Sequence, residues 1–245
     1  MKTVLIKSAW CARWLAVAGL TLALAAAGQE TKPSAPPVSP APPVLKPIAP
    51  GIFEIGMVRL DKDRRAISFP ATVNMKAGAI EYLIVTKNGK THESLLRTEA
   101  EPQHIHLAML LLGAKGAGTN DFPAEVTKPL PGDRVSIEIK CETAGAEKRF
   151  RADELIFNTQ TKSVMPRGDW TYNGSRVIDG VFLAQREGSI VSIMTDEFAL
   201  LNNPRPGREN DKIWEPRADG LSPVDAPVEV IIKLEGPITP PAAKP

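Results

Sequence analysis

Apolar and polar residues alternate over several stretches of the chain, and a period of two predicts strands. In Arg134–Cys141, Val135, Ile137, Ile139 and Cys141 alternate with Arg134, Ser136, Glu138 and Lys140. One face is apolar and the other polar, which places Cys141 inside as an inert thiol. Val228, Val230, Ile232 and Leu234 repeat the pattern against Glu229, Ile231, Lys233 and Glu235. Ile67–Val73, Val177–Ala184 and Ser189–Thr195 also read as strands, the last two joined by a loop at Gln185–Gly188. Asn88-Gly89, inside Ala79–Leu96, predicts a type I′ hairpin turn, since both central positions of that turn need positive φ. Its register sets Lys87 opposite Lys90, Val85 opposite His92 and Ile84 opposite Glu93. Both faces of this hairpin are partly apolar, so it is expected to be covered on both sides.

The period changes once. After Pro102, Ile105, Ala108, Met109 and Leu112 follow i, i+3, i+4, i+7 spacing, while Leu107, Leu110 and Leu111 fill much of the remaining circumference. This predicts a helix over 102–112, buried on most sides and ended by Gly113. The expected fold class is therefore α+β: strand-dominated antiparallel sheets with one largely buried helix.

The two ends of the chain read differently. Met1–Ala27 has the form of a signal peptide, with Lys2, Lys7 and Arg13 before an apolar run and Ala25-Ala26-Ala27 at the cleavage site. The run, Leu15–Ala26, is 12 residues long, short of the about 20 that a membrane-spanning helix needs. Cleavage after Ala27 leaves no membrane span and puts the protein in the periplasm or outside the cell. Residues 28–50 form a proline-rich linker, with eight prolines between Thr31 and Pro50, and are expected to stay extended and outside any sheet. Residues 51–235 then make the globular domain, and residues 236–245 a proline-rich tail.

Composition sharpens this division. The whole chain of 245 residues has a formal charge of +2 and two cysteines. Without residues 1–27 it has 27 basic and 28 acidic residues, a net charge of −1, and only Cys141. That balance gives no reason to expect nucleic acid as a partner. One cysteine excludes an intramolecular disulfide, a four-cysteine zinc site and an iron–sulfur cluster, and no cofactor is expected.

The candidate chemistry is concentrated in one stretch. His92, His104 and His106 are the only histidines, and Glu93 and Ser94 lie beside the first. A catalytic arrangement would use Ser94 as nucleophile, His106 as base and Glu93 as orienter, with His92 a further candidate. A metal site would use His92 and His106. On a strand, however, His92 and Glu93 point to opposite faces, and Ser94 lacks the Gly-x-Ser-x-Gly elbow of exposed nucleophiles. The alternative is a polar cluster in which these side chains bond to the backbone. Trp170 and Tyr172 share one strand face, either as core or as a ligand platform. Gly113–Gly118 resembles a phosphate loop but follows a helix C-terminus, whose dipole repels anions.

Gly89-Lys90-Thr91-His92-Glu93-Ser94-Leu95-Leu96, then Ile105-His106 and Leu110–Ala114, resemble the YdjY-domain family. Trp170–Ser175 and the stretch TDEFALLNN, residues 195–203, extend the resemblance over roughly Ile55–Leu234. It implies an exported bacterial protein and carries no biochemical activity with it. The expected function is a non-catalytic envelope module that binds a ligand or an envelope partner. The alternative is an envelope hydrolase or metal-dependent enzyme using Ser94, His92 and His106.

Overall fold

The computed structural model describes residues 43–236, apart from 119–121, 144, 218 and 220. The expected signal peptide, most of the expected proline-rich linker and residues 237–245 of the expected tail lie outside the described residues.

The chain opens as a meander of β1 (Leu45–Ala49), β2 (Ile52–Ile55), β3 (Val58–Asp61) and β4 (Ala66–Val73). Next come β5 (Tyr82–Thr86), β6 (Ser94–Thr98), helix α1 (Pro102–Leu111), β7 (Asp133–Thr143) and β8 (Ala146–Arg151). Short strands follow: β9 (Ile156–Asn158), β10 (Ser163–Val164), β11 (Trp170–Tyr172), β12 (Val177–Ile178) and β13 (Val181–Phe182). The chain ends with helix α2 (Leu183–Glu187), β14 (Ser189–Ser192), β15 (Leu201–Asn202), β16 (Trp214–Pro216) and β17 (Pro227–Leu234).

Eight strands close into a ring in the order β4-β17-β7-β11-β15-β14-β5-β6, and β6 pairs back onto β4. Two of the joints are parallel, β14–β15 and β5–β6, so the barrel is mixed. This corrects the α+β expectation: the domain is mostly β, a closed barrel with, among the described residues, one three-turn α-helix and one short one.

The long strands behave as their alternation predicts. Across β4, β17 and β7, the register aligns Phe69, Val230 and Ile139 in one row and Ile67, Ile232 and Ile137 in the next. All six are buried, as is Cys141 opposite Val228. Between these rows, Ser68, Ile231 and Glu138 align on the other face.

Three local expectations fail for physical reasons. The predicted hairpin around Asn88-Gly89 is a parallel pair, with Tyr82 opposite Ser94 and Ile84 opposite Leu96. Neither Asn88 nor Gly89 has positive φ. Gly89 serves close approach instead: a Cβ there would lie 3.0 Å from Gly188 O. The chain returns through residues 87–93, and the Asn74 amide holds that return by donating to Thr91 O and Ser94 O (2.6 and 2.7 Å). Tyr82-Leu83-Ile84-Val85 is buried throughout, the signature of a strand covered on both faces.

The second failure is the predicted strand Val177–Ala184. It breaks into the small hairpin β12–β13 followed by α2, which stops at Gly188 with φ +71. A Cβ on Gly188 would lie 2.3 Å from Thr86 Oγ1, and its carbonyl accepts the Thr86 amide (2.8 Å). The third concerns α1, which is buried along one stripe only, Pro102, Ile105, Ala108 and Met109, and leaves Leu110 and Leu111 exposed.

The linker boundary also moves. Leu45–Ala49 joins the sheet as an exposed edge strand against β2, with an irregularity between Pro47 and Ala49. An edge position tolerates the missing Pro47 amide, which a central strand does not.

The register of β17 makes a test one residue apart. Ile232→Ala, at a fully buried site, should cost about 2–5 kcal/mol. Ile231→Ala, half-buried on the other face, should cost no more than about 1 kcal/mol. Urea unfolding midpoints measure both, and equal losses would contradict the face assignment.

Candidate functional site

The structure disperses the residues that the sequence clusters. His92 sits in a 3₁₀ turn, Thr91–Glu93, with its side chain 78% exposed. Its Nε2 is 3.6 Å from Glu93 Oε2, and Glu93 Oε1 is 3.7 Å from Lys90 Nζ. Ser94 is fully buried, and its Oγ donates to Lys90 O (2.6 Å). That bond helps turn the chain from the 3₁₀ segment into β6. His104 lies against the β2–β3 turn, where a Cβ on Gly56 would come within 2.4 Å of its Nδ1. Among the described residues, no hydrogen bond joins Ser94 to His92 or His106. No group of three His, Cys, Asp or Glu is placed to hold a metal there.

His106 is positioned differently. It projects from α1 beside the stretch Tyr172–Phe182 and packs its ring 4.9 Å from that of Phe182. Its Nδ1 lies 2.7 Å from Tyr172 Oη. Burial pushes the His106 pKa below its usual value of 6.5 and raises that of Tyr172, so the pair is neutral at pH 7. The Tyr172 hydroxyl has no other partner among the described residues. The pairing is satisfied when Oη–H donates to Nδ1, which leaves the imidazole proton on Nε2. Nε2 has no protein partner among the described residues.

Tyr172 itself is buried, as is Trp170, over which Arg205 stacks at 5.3 Å. Both aromatics are core, and only the Tyr172 hydroxyl reaches the cleft side through His106.

That cleft has a volume of about 530 Å³. Its walls are α1 (His106, Leu110), the loop after α1 (Lys115, Gly118), the stretch Asn173–Arg176 and the β12–β13 hairpin. The two motif stretches explain this wall. Leu200 O accepts the amides of Asn173 and Gly174 (2.8 and 3.0 Å), and Asn202 Nδ2 donates to Asn173 Oδ1 (2.9 Å). Gly174 takes φ +82, and a Cβ there would lie 3.3 Å from His106 Cε1. Ser175 has φ +61, an uncommon value for a side-chain-bearing residue. Its Oγ donates to Phe198 O (2.6 Å) and accepts the Ala184 amide (3.0 Å). The glycine-rich loop is no phosphate cradle: the Lys115 and Gly116 amides both donate to Asp133 Oδ2 (2.7 and 2.8 Å).

A second cleft, of about 610 Å³, contains Glu81, Glu187, Asp196, Glu209 and Asp211 with Lys90. Lys90 Nζ donates to Tyr82 Oη (3.0 Å), which in turn donates to Asp196 Oδ2 (3.0 Å). Burial, then the Asp196 charge, pushes the Tyr82 pKa up to about 12. Burial and Glu93 raise that of Glu81. Asp196 also accepts the Phe198 amide, and its own amide donates to Asn202 Oδ1. Asn202 therefore ties the two clefts together.

The YdjY domain family matches residues 58–233, most of the chain. The protein belongs to the YdjY domain family. No curated protein and no solved structure matches it. The match begins at β3, leaves out β1 and β2, and takes in the eight barrel strands up to residue 233 and both clefts. Among the described residues of this YdjY domain, no helix is long and apolar enough to cross a membrane.

Sequence reasoning missed two elements. Lys115 and Arg176 line the first cleft, but only the folded chain sets them beside His106. Buried Asp153 accepts Arg151 and Arg205 (each 3.2 Å) and the Gly168 amide (2.9 Å), so it anchors the loop before β11. No local pattern marks either.

The depressed His106 pKa gives a pH test. The unfolded chain takes up the proton near pH 6.5 and the folded one only below it, so the unfolded state binds more protons in between. Stability should therefore fall as pH drops below 6.5, and His106→Gln should reduce that dependence. Thermal midpoints of the two proteins from pH 7.5 to 5 measure it, and parallel curves would contradict it.

Proposed function

We propose that this protein is an exported module of the bacterial cell envelope that binds a ligand without transforming it, and that the His106 cleft is the binding site. The reading rests on one observation: the hydroxyls at this cleft are already engaged. Ser175, which lines it, bonds to Phe198 O and the Ala184 amide, and Tyr172, whose hydroxyl meets His106, is fully buried and is not among the residues lining the cleft. A nucleophilic mechanism needs a hydroxyl or thiol within reach of a free base. Ser94, the sequence candidate, is buried and bonded to a backbone carbonyl. What the cleft offers is a fixed donor, cationic side chains and an apolar wall, which are the parts of a binding pocket.

Export rests on the first 27 residues, with their basic start, 12-residue apolar run and small-residue cleavage site. The proline-rich segment that follows separates the domain from that point.

The full chain expressed in a bacterial host should fractionate with the envelope or medium and begin at Gly28 by N-terminal sequencing. Purified from that fraction and incubated with an ethanol extract of envelopes, it should retain a compound by native mass spectrometry. That compound should keep its mass over hours of incubation and be lost with Leu110→Asp, a change at an exposed position. Cytoplasmic retention would overturn the export reading, and conversion of the compound would overturn the non-catalytic one.

A further inference from the structure

We infer that the His106 cleft takes a soluble amphiphile with one anionic head and a hydrocarbon body, of the single-chain carboxylate class. This rests on the binding reading above and names the ligand for that site.

Charge supports the anionic head. Among the described residues, no aspartate or glutamate lines the cleft, whereas Lys115 and Arg176 do. Arg176 is held by Glu197 (2.9 Å), while the Lys115 ammonium has no ion pair among the described residues. Asp133, beneath the loop, has its Oδ2 occupied by the Lys115 and Gly116 amides, which fixes the loop that carries the lysine. With the Tyr172 hydroxyl donating to its Nδ1, His106 adds a neutral N–H donor at Nε2. A neutral donor beside a cation suits a carboxylate, which only accepts hydrogen bonds.

The apolar wall supports the hydrocarbon body. Leu110 is 43% exposed, Val177 66% and Ile178 48%, all three around the same cleft, with Phe182 deeper against His106. Single exposed apolar residues are ordinary, but a group of them rimmed by cations marks a binding surface. The volume, about 530 Å³, is in the range of small-molecule sites.

The test uses the mature protein and isothermal titration with sodium dodecanoate below its micelle concentration. One saturable site is expected. Lys115→Glu should weaken binding by about tenfold or more, as should Leu110→Asp. Lys46→Glu, on the edge strand, should leave it unchanged. Dodecyltrimethylammonium should bind at least about tenfold more weakly than dodecanoate. Equal affinity for the two detergents would overturn the anionic head, and insensitivity to Lys115→Glu would overturn the site. Association with phosphatidylglycerol vesicles, without binding of monomeric dodecanoate, would show a membrane surface as the partner instead. If dodecanoate fails while an envelope compound is still retained unchanged, the ligand class falls and the binding reading stands. If neither binds, both fall.

Discussion

The barrel exists because β6 reaches back to β4, and that seam is short. Only Thr72 with Arg97 and Val73 with Leu96 pair directly. Side chains reinforce it: Thr98 Oγ1 donates to Pro70 O (2.5 Å), and Arg97 Nη1 donates to Asn74 Oδ1 (3.1 Å). Each such bond contributes about 1 kcal/mol net. Their larger effect is topological, since a closed ring leaves β4 and β6 no free edge. Closure there also makes the β5–β6 pair parallel, because β6 runs antiparallel to β4 while β5, antiparallel to β14 on its other side, already runs the same way as β6. Parallel pairs ordinarily need a crossover of a dozen residues or more. Here residues 87–93 suffice, since Asn74 and Ser94 satisfy the carbonyls of that tight return.

The clefts lie along the arc of the ring from β11 to β5. β11 and β15 are only three and two residues long, and the loop that leaves β11 and the loop that enters β15 belong to the two motif stretches. Asn173 and Asn202 meet between those loops, with Asp196 on the other side of Asn202. Short strands with mutually bonded loops set a recess on each side of one shared wall. A change in that wall therefore reaches both recesses at once.

The parts of the fold legible in the sequence are those where one face is wet and one dry. β4, β7 and β17 are such strands, and their alternation survives in the register row by row. The β5–β6 pairing was hidden because Asn-Gly is a strong local turn signal, overridden here by packing of Gly89 against Gly188. The clue against the hairpin was the continuous run Tyr82–Val85, which suits a strand covered on both faces better than an exposed hairpin. Helix α1 was legible in position but not in burial, since leucines on all sides do not say which side is covered. The histidine cluster misled because nearness along the chain is not nearness in space. His92 and Ser94 lie on either end of one tight turn, while His106 finds its partner Tyr172 66 residues on.

The edge strand β1 has a mechanical consequence. Every residue of Leu45–Ala49 is exposed, and its backbone pairs only with β2, starting where Leu45 meets Ile55. A pull arriving along the chain from residue 44 meets that outermost pair first. Bonds along β1 then part in succession, rather than all together as they do when strands are sheared. Tension is spent on a strand that buries nothing, ahead of the seam between β4 and β6. Within the described fold, β1 acts as a fuse between the chain that precedes it and the barrel.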